Sequence, residues 1–115
     1  MTSVEEELRR LAINDERQIA AVMGLFPGAP QPCPLEPRTQ ALARMSALIA
    51  IDAGSVSLEH AVSDAIAQGA SSQDIVALLA TIAPAVGYAR VVSAAPALAA
   101  ALGYDIDRDL EVIRP

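Results

Sequence analysis

His60 and Asp64 lie four residues apart and are the pair in this sequence best suited to moving a proton. On a helix, residues with this spacing share a face, so the carboxylate could orient the imidazole for general acid–base catalysis. The same spacing is common in solvated pairs on polar helix faces. Two interpretations therefore stand, a catalytic pair and an exposed pair, and burial of this face in an oligomer would favour the first.

Arg44 and Arg90 each interrupt an otherwise apolar stretch, and we expect both guanidinium groups to be buried against an anion. That anion is either Asp52 or Asp64 within the fold, or a ligand carboxylate held by two parallel hydrogen bonds. Tyr88 could line a pocket with its hydroxyl, although packing with a satisfied hydroxyl is the simpler explanation. Arg44, Arg90 and Tyr88 are thus the candidate substrate-binding residues.

Cys33 is the only cysteine, which excludes an internal disulfide, a CxxC redox pair and a cysteine zinc cluster. It lies among prolines with no neighbouring His or Lys, so we expect an inert thiol. The chain also lacks GxGxxG, Walker, HExxH and GxSxG patterns. The sequence therefore predicts no cofactor and no metal site.

The composition favours helices and excludes several classes of partner. Of the 115 residues, 53% are hydrophobic but only 3% aromatic, a balance that disfavours sheets. All eight basic residues are arginines, and the net charge of −6 repels nucleic acid and anionic membranes. The acidic N-terminus does not resemble a signal peptide, and the lone cysteine gives no sign of an oxidising compartment. We expect a cytoplasmic protein.

The helices that must position these side chains can be placed from their caps and breakers. A short N-terminal helix is followed by a stretch that Asn14 could cap, and five prolines in residues 27–37 then break the chain. Three further helices are expected from Pro37 to about residue 53, from a Ser57 cap to Gly69, and from a capping box at Ser71. Residues 88–102 are again helical in character.

The sequence thus predicts an all-α fold, a single domain over residues 1–115 with five to six helices. The two capped helices that follow one another, 57–69 and 71–86, suggest a central helical hairpin. The helix that begins at Pro37 is apolar on nearly every side, which predicts burial on most sides. A chain of this size cannot cover such surfaces alone, so we expect a homo-oligomer.

Three motifs in residues 35–102 resemble the carboxymuconolactone decarboxylase family, which includes the alkyl hydroperoxidase D type proteins. They are LEPR at 35–38, A-x-x-x-G-A-S-S-x-D-I at 65–75 and A-P-x-x-G at 83–87. The resemblance implies an all-helical fold, assembly as a trimer or hexamer, and a lyase-type activity on a small lactone carboxylate. Peroxidase-type members instead use a CxxC pair.

The chain departs from both patterns of that family. No cysteine occurs in the segment 41–51, where peroxidase-type members carry their pair. The family histidine corresponds to Ala61, whereas His60 is one residue early, a rotation of about 100° around a helix. The positions of a family glutamate and a polar residue hold Ala77 and Thr81. The resemblance therefore implies that the inherited acid–base groups are absent or displaced.

Two functions are compatible with these residues. The first is a cofactor-free lyase or isomerase, in which Arg44 or Arg90 anchors a carboxylate and His60 or a water moves the proton. The second is a member of the same family that has lost catalysis and serves as a ligand-binding or scaffold oligomer. The apolar residues at the family's polar positions slightly favour the second.

We predict that the protein has no thiol-dependent peroxidase turnover, because Cys33 has neither a resolving cysteine nor an activating neighbour. The measurement is hydroperoxide consumption with a dithiol reductant, for the native chain and for Cys33→Ser. A robust activity that disappears in the variant would contradict this prediction.

Overall fold

The structure, a computed structural model, describes residues 3–23 and 35–104. These residues form six α-helices and contain no strand, which confirms the all-α class. Cys33 lies outside the described residues. The helices are α1 Val4–Ala12, α2 Glu16–Met23, α3 Pro37–Ala50, α4 Ser55–Ala67, α5 Ser72–Val86 and α6 Tyr88–Ala101.

The chain divides into two compact units, Met1–Leu35 and Glu36–Pro115. In the first unit, α1 and α2 pack together, and Ala21 is the only described residue that is buried. The cap of α2 is Asp15, whose Oδ1 accepts from the backbone amide of Arg17 at 2.9 Å. The prediction that Asn14 caps this helix was wrong by one residue: Asn14 has a φ of 62° and forms the turn.

The second unit has a core built from narrow stripes of four helices. α3 packs against α4, α5 and α6, and α6 also packs against α4 and α5. The largest fully buried side chains are Met45 and Ile49 on α3, Val62 on α4 and Ile75 on α5. The hairpin expected from α4 and α5 is not a closely packed pair, because α4 packs chiefly on α3 and α6. The tightest hairpin joins α3 to α4.

α3 is less buried than its apolar sequence predicts. Only Ala41, Met45 and Ile49 are buried, and they repeat every four residues along one stripe. The remaining alanines make the helix read as apolar all round, but the neighbouring helices cover only one side of it. The prediction of burial on most sides was therefore wrong for the single chain.

The N-termini of α4 and α5 are closed in different ways. α4 begins at Ser55 with Gly54 as its N-cap, so Ser57 lies inside the helix and does not cap it as predicted. α5 has the predicted capping box, in which the Ser71 amide donates to Asp74 Oδ2 at 2.8 Å. The Asp74 amide donates in return to Ser71 Oγ at 3.1 Å. Arg38 adds a long ion pair from α3, with Nη1 3.9 Å from Asp74 Oδ2.

We predict that Asp74→Asn lowers the melting temperature at pH 7 by a few degrees, because the helix loses a charged cap. The amide of Ser71, then its hydroxyl, and less strongly Arg38 hold the pKa of Asp74 below its ordinary value. The stabilisation is therefore complete above the unfolded-state pKa of about 4 and is lost as the pH falls through the lower folded-state pKa.

Thermal melts of both proteins between pH 7 and pH 2 test this, and the difference between them should narrow below about pH 4. The control is Glu59→Gln, which removes an exposed carboxylate of α4 and should melt like the native chain at every pH. A difference between native and Asp74→Asn that stays constant with pH would argue against the charged cap.

Candidate functional site

A groove of about 480 Å³ lies between α3 and α4 on the surface of the second unit. α3 contributes Ala41, Arg44 and Leu48 to its lining, and α4 contributes Val56, Ser57, His60, Ala61 and Asp64. The groove therefore brings together three of the five predicted site residues, Arg44, His60 and Asp64.

Apart from the buried Ala41, the α3 residues of the groove lie beside the core stripe and outside it. On α3, Arg44 and Leu48 each precede a buried residue, Met45 and Ile49, so they sit about 100° around the helix from the core stripe. Leu48 is half-buried at this edge, and Arg44 is exposed. The groove thus follows the seam where the outer flanks of two packed helices meet.

Arg44 is exposed in the single chain, which corrects the expectation that it is buried. Within residues 3–23 and 35–104 its guanidinium forms no ion pair and no side-chain hydrogen bond. Neither Asp52 nor Asp64 is therefore the internal partner that one of the two interpretations required. The five N–H donors of the Arg44 guanidinium can therefore bind water or an anion.

His60 and Asp64 are both exposed, and no hydrogen bond joins them in the described part of the chain. Both nevertheless line the groove. His60 and Ala61 are about 100° apart around the helix, so both can face one pocket only at the edge of the buried face. In the structure both do, because the groove lies at the boundary between the buried and exposed faces of α4.

Arg90 and Tyr88 are not among the described residues that line this groove. Arg90 has the internal anion that sequence reasoning offered as one alternative, since its Nη1 lies 3.4 Å from Asp52 Oδ2. Its side chain is half-exposed rather than buried as expected, because the pair lies at the surface. Ser93 Oγ donates to the other oxygen, Asp52 Oδ1, at 3.0 Å. Tyr88 is 81% exposed.

Two features of these clusters were missed from the sequence. Ser57 was interpreted as a cap but lines the groove, and its position three residues before His60 was the available signal. The contact between Asp52 and Ser93 links residues far apart in the chain and left no local signal.

Thr81, at a polar position implied by the family resemblance, donates to the carbonyl of Ala77 at 2.8 Å on the exposed side of α5.

The groove offers chemistry for a small anion. Arg44 supplies a fixed cation, His60 a group that can accept or donate a proton, and Ser57 a hydroxyl.

Among the described residues no cluster of three or more His, Cys, Asp or Glu side chains could hold a metal ion. The described helices include none that is long and apolar enough to span a membrane, and the cytoplasmic location stays a prediction.

Comparison with known proteins identifies a family. The model of the carboxymuconolactone decarboxylase family matches residues 16–100. The match begins upstream of residue 35, where the resemblance in the motifs starts, and so takes in α2 as well as α3 to α5 and most of α6. No match was found among curated proteins or among solved structures.

Proposed function

The chain belongs to the carboxymuconolactone decarboxylase family, and we propose that it binds a small carboxylate or lactone in the groove between α3 and α4. The observation that carries this proposal is the placement of Arg44. Its guanidinium lines the groove and has no ion-pair partner among the described residues. A guanidinium recognises a carboxylate through two parallel hydrogen bonds, so the groove has an anion anchor.

As an enzyme, the protein would be a cofactor-free lyase or isomerase in which His60 moves the proton. An isomerase takes a proton from one carbon of the substrate and returns it to another. A decarboxylase releases CO2 and protonates the carbon that keeps the electron pair. Both reactions need one acid–base group close to the bound acid, and His60 lines the same groove as Arg44. Asp64, one helical turn away, would act as a positioning residue for the imidazole.

The second candidate is a ligand-binding or scaffold protein without turnover. It is supported by Ala61 and Ala77, which occupy positions where the family resemblance implies acid–base groups. A ligand-binding protein shares the anion anchor with the enzyme and differs only in chemistry, because only the enzyme consumes the carboxylates that bind to it, whereas a scaffold needs no anchor. Product formation, followed by NMR with each stabilising acid, separates them.

We predict that Arg44→Met leaves the melting temperature of the free protein close to that of the native chain. An exposed side chain without an internal partner typically contributes no more than about 0.5 kcal/mol, whereas breaking a buried pair costs about 3–5 kcal/mol. Small carboxylates should raise the melting temperature of the native chain but not of Arg44→Met, since the stabilisation depends on ligand concentration relative to the dissociation constant.

The experiment is a thermal-shift panel of small mono- and dicarboxylates on both proteins. Arg90→Met is the matched control: it removes an arginine paired with Asp52 and should keep the carboxylate response. A strongly destabilised Arg44→Met, together with no effect of carboxylates on the melting temperature of the native chain, would contradict the anion anchor and favour the scaffold function.

We further predict a homo-oligomer, a trimer or a hexamer, because apolar side chains of the second unit remain uncovered in the single chain. Ile51, Val56, Val76 and Tyr88 are all more than 60% exposed. Light scattering coupled to size exclusion measures the mass directly. A monomer at micromolar concentration would contradict the prediction.

A further inference from the structure

The groove between α3 and α4 has two different ends. The chain reverses over residues 51–54, so the helices run in opposite directions and residues close to this turn share one end. Leu48 and Val56 line the end nearest the turn. Asp64 lies eight residues along α4 from Val56, or about 12 Å at 1.5 Å per residue, and lines the far end.

Arg44 lies between these ends. It is one helical turn from Leu48, about 6 Å along the helix axis. A carboxylate bound to Arg44 therefore has a mostly apolar surface on the turn side, where Ser57 is the one polar residue among the described lining, and the Asp64 carboxylate on the other side. No second arginine is among the described residues that line the groove.

A ligand with two carboxylates fits this arrangement poorly. A second carboxylate placed towards the turn would lose hydration against Leu48 and Val56 and would gain only the Ser57 hydroxyl, which carries no charge to offset that loss. Placed the other way, it would approach Asp64 more closely than the first carboxylate does, and a like charge about 3–6 Å away across water weakens binding by roughly three- to tenfold. An apolar chain of five or six carbons instead covers the distance from Arg44 to the end at the turn.

We infer that the ligand of this groove is a monocarboxylate with a short apolar body, and that Asp64 selects against dicarboxylates. The inference rests on the proposed carboxylate site and adds the substrate class. Arg44 provides affinity by binding the carboxylate, and Leu48 and Val56 contact the apolar body. Asp64 provides specificity by repelling a second carboxylate. The matching probes are hexanoate and adipate, which have the same six carbons and differ in the second carboxylate.

The test is isothermal titration calorimetry of the full chain with hexanoate and with adipate. Hexanoate should bind at least about threefold more tightly than adipate. Asp64→Asn should tighten adipate binding by roughly three- to tenfold and change hexanoate binding less, by about threefold at most. Glu59→Gln is the control, because it removes one carboxylate from α4 at a position that does not line the groove, and it should leave the preference unchanged.

The possible results separate this inference from the site itself. If adipate binds as tightly as hexanoate and Asp64→Asn changes neither, the specificity role of Asp64 is wrong, while loss of both ligands in Arg44→Met still supports the anchor. If neither acid binds the native chain, the carboxylate site fails and the inference fails with it.

Discussion

The burial of a few medium-sized side chains along narrow stripes is the constraint on which the second unit depends. The chain has no tryptophan and one phenylalanine, so the core of this unit is filled by Met45, Ile49, Val62 and Ile75 together with leucines and alanines. Helices that bury only a narrow stripe leave most of their circumference uncovered. The seam between α3 and α4 is therefore open to solvent, and the polar groups of the groove stand along it.

Arg44 and Arg90 show how position within one fold gives the same residue type different roles. Arg90 lies on α6 close to the turn that ends α3, where Asp52 adopts a φ of 56° and faces both Arg90 and Ser93. Its charge is thus balanced within the chain. Arg44 lies about two turns earlier on α3, where Asp64 lines the same groove without forming an ion pair with it, and its guanidinium keeps its hydration until an anion displaces the water.

The features that the sequence predicted are those encoded locally. The helical class and the Ser71–Asp74 capping box follow from composition and short spacings, and both are confirmed. The exposure of Arg44 could not be predicted, because an alanine-rich helix reads as apolar on every side whereas tertiary contacts cover one stripe. Which residues line the groove depends on how α4 is rotated against α3. The spacing of residues within α4 carries no information about that rotation.

The separation of the groove from the core has a consequence for divergence within the fold. The groove residues that carry the proposed chemistry, Arg44, Ser57, His60 and Asp64, are all exposed, and of the buried core residues described only Ala41 is also part of the lining. Replacements at such positions typically change stability by no more than about 0.5 kcal/mol. The groove can therefore exchange one set of polar groups for another while the scaffold persists, so the same helical frame tolerates both an active and an inactive site.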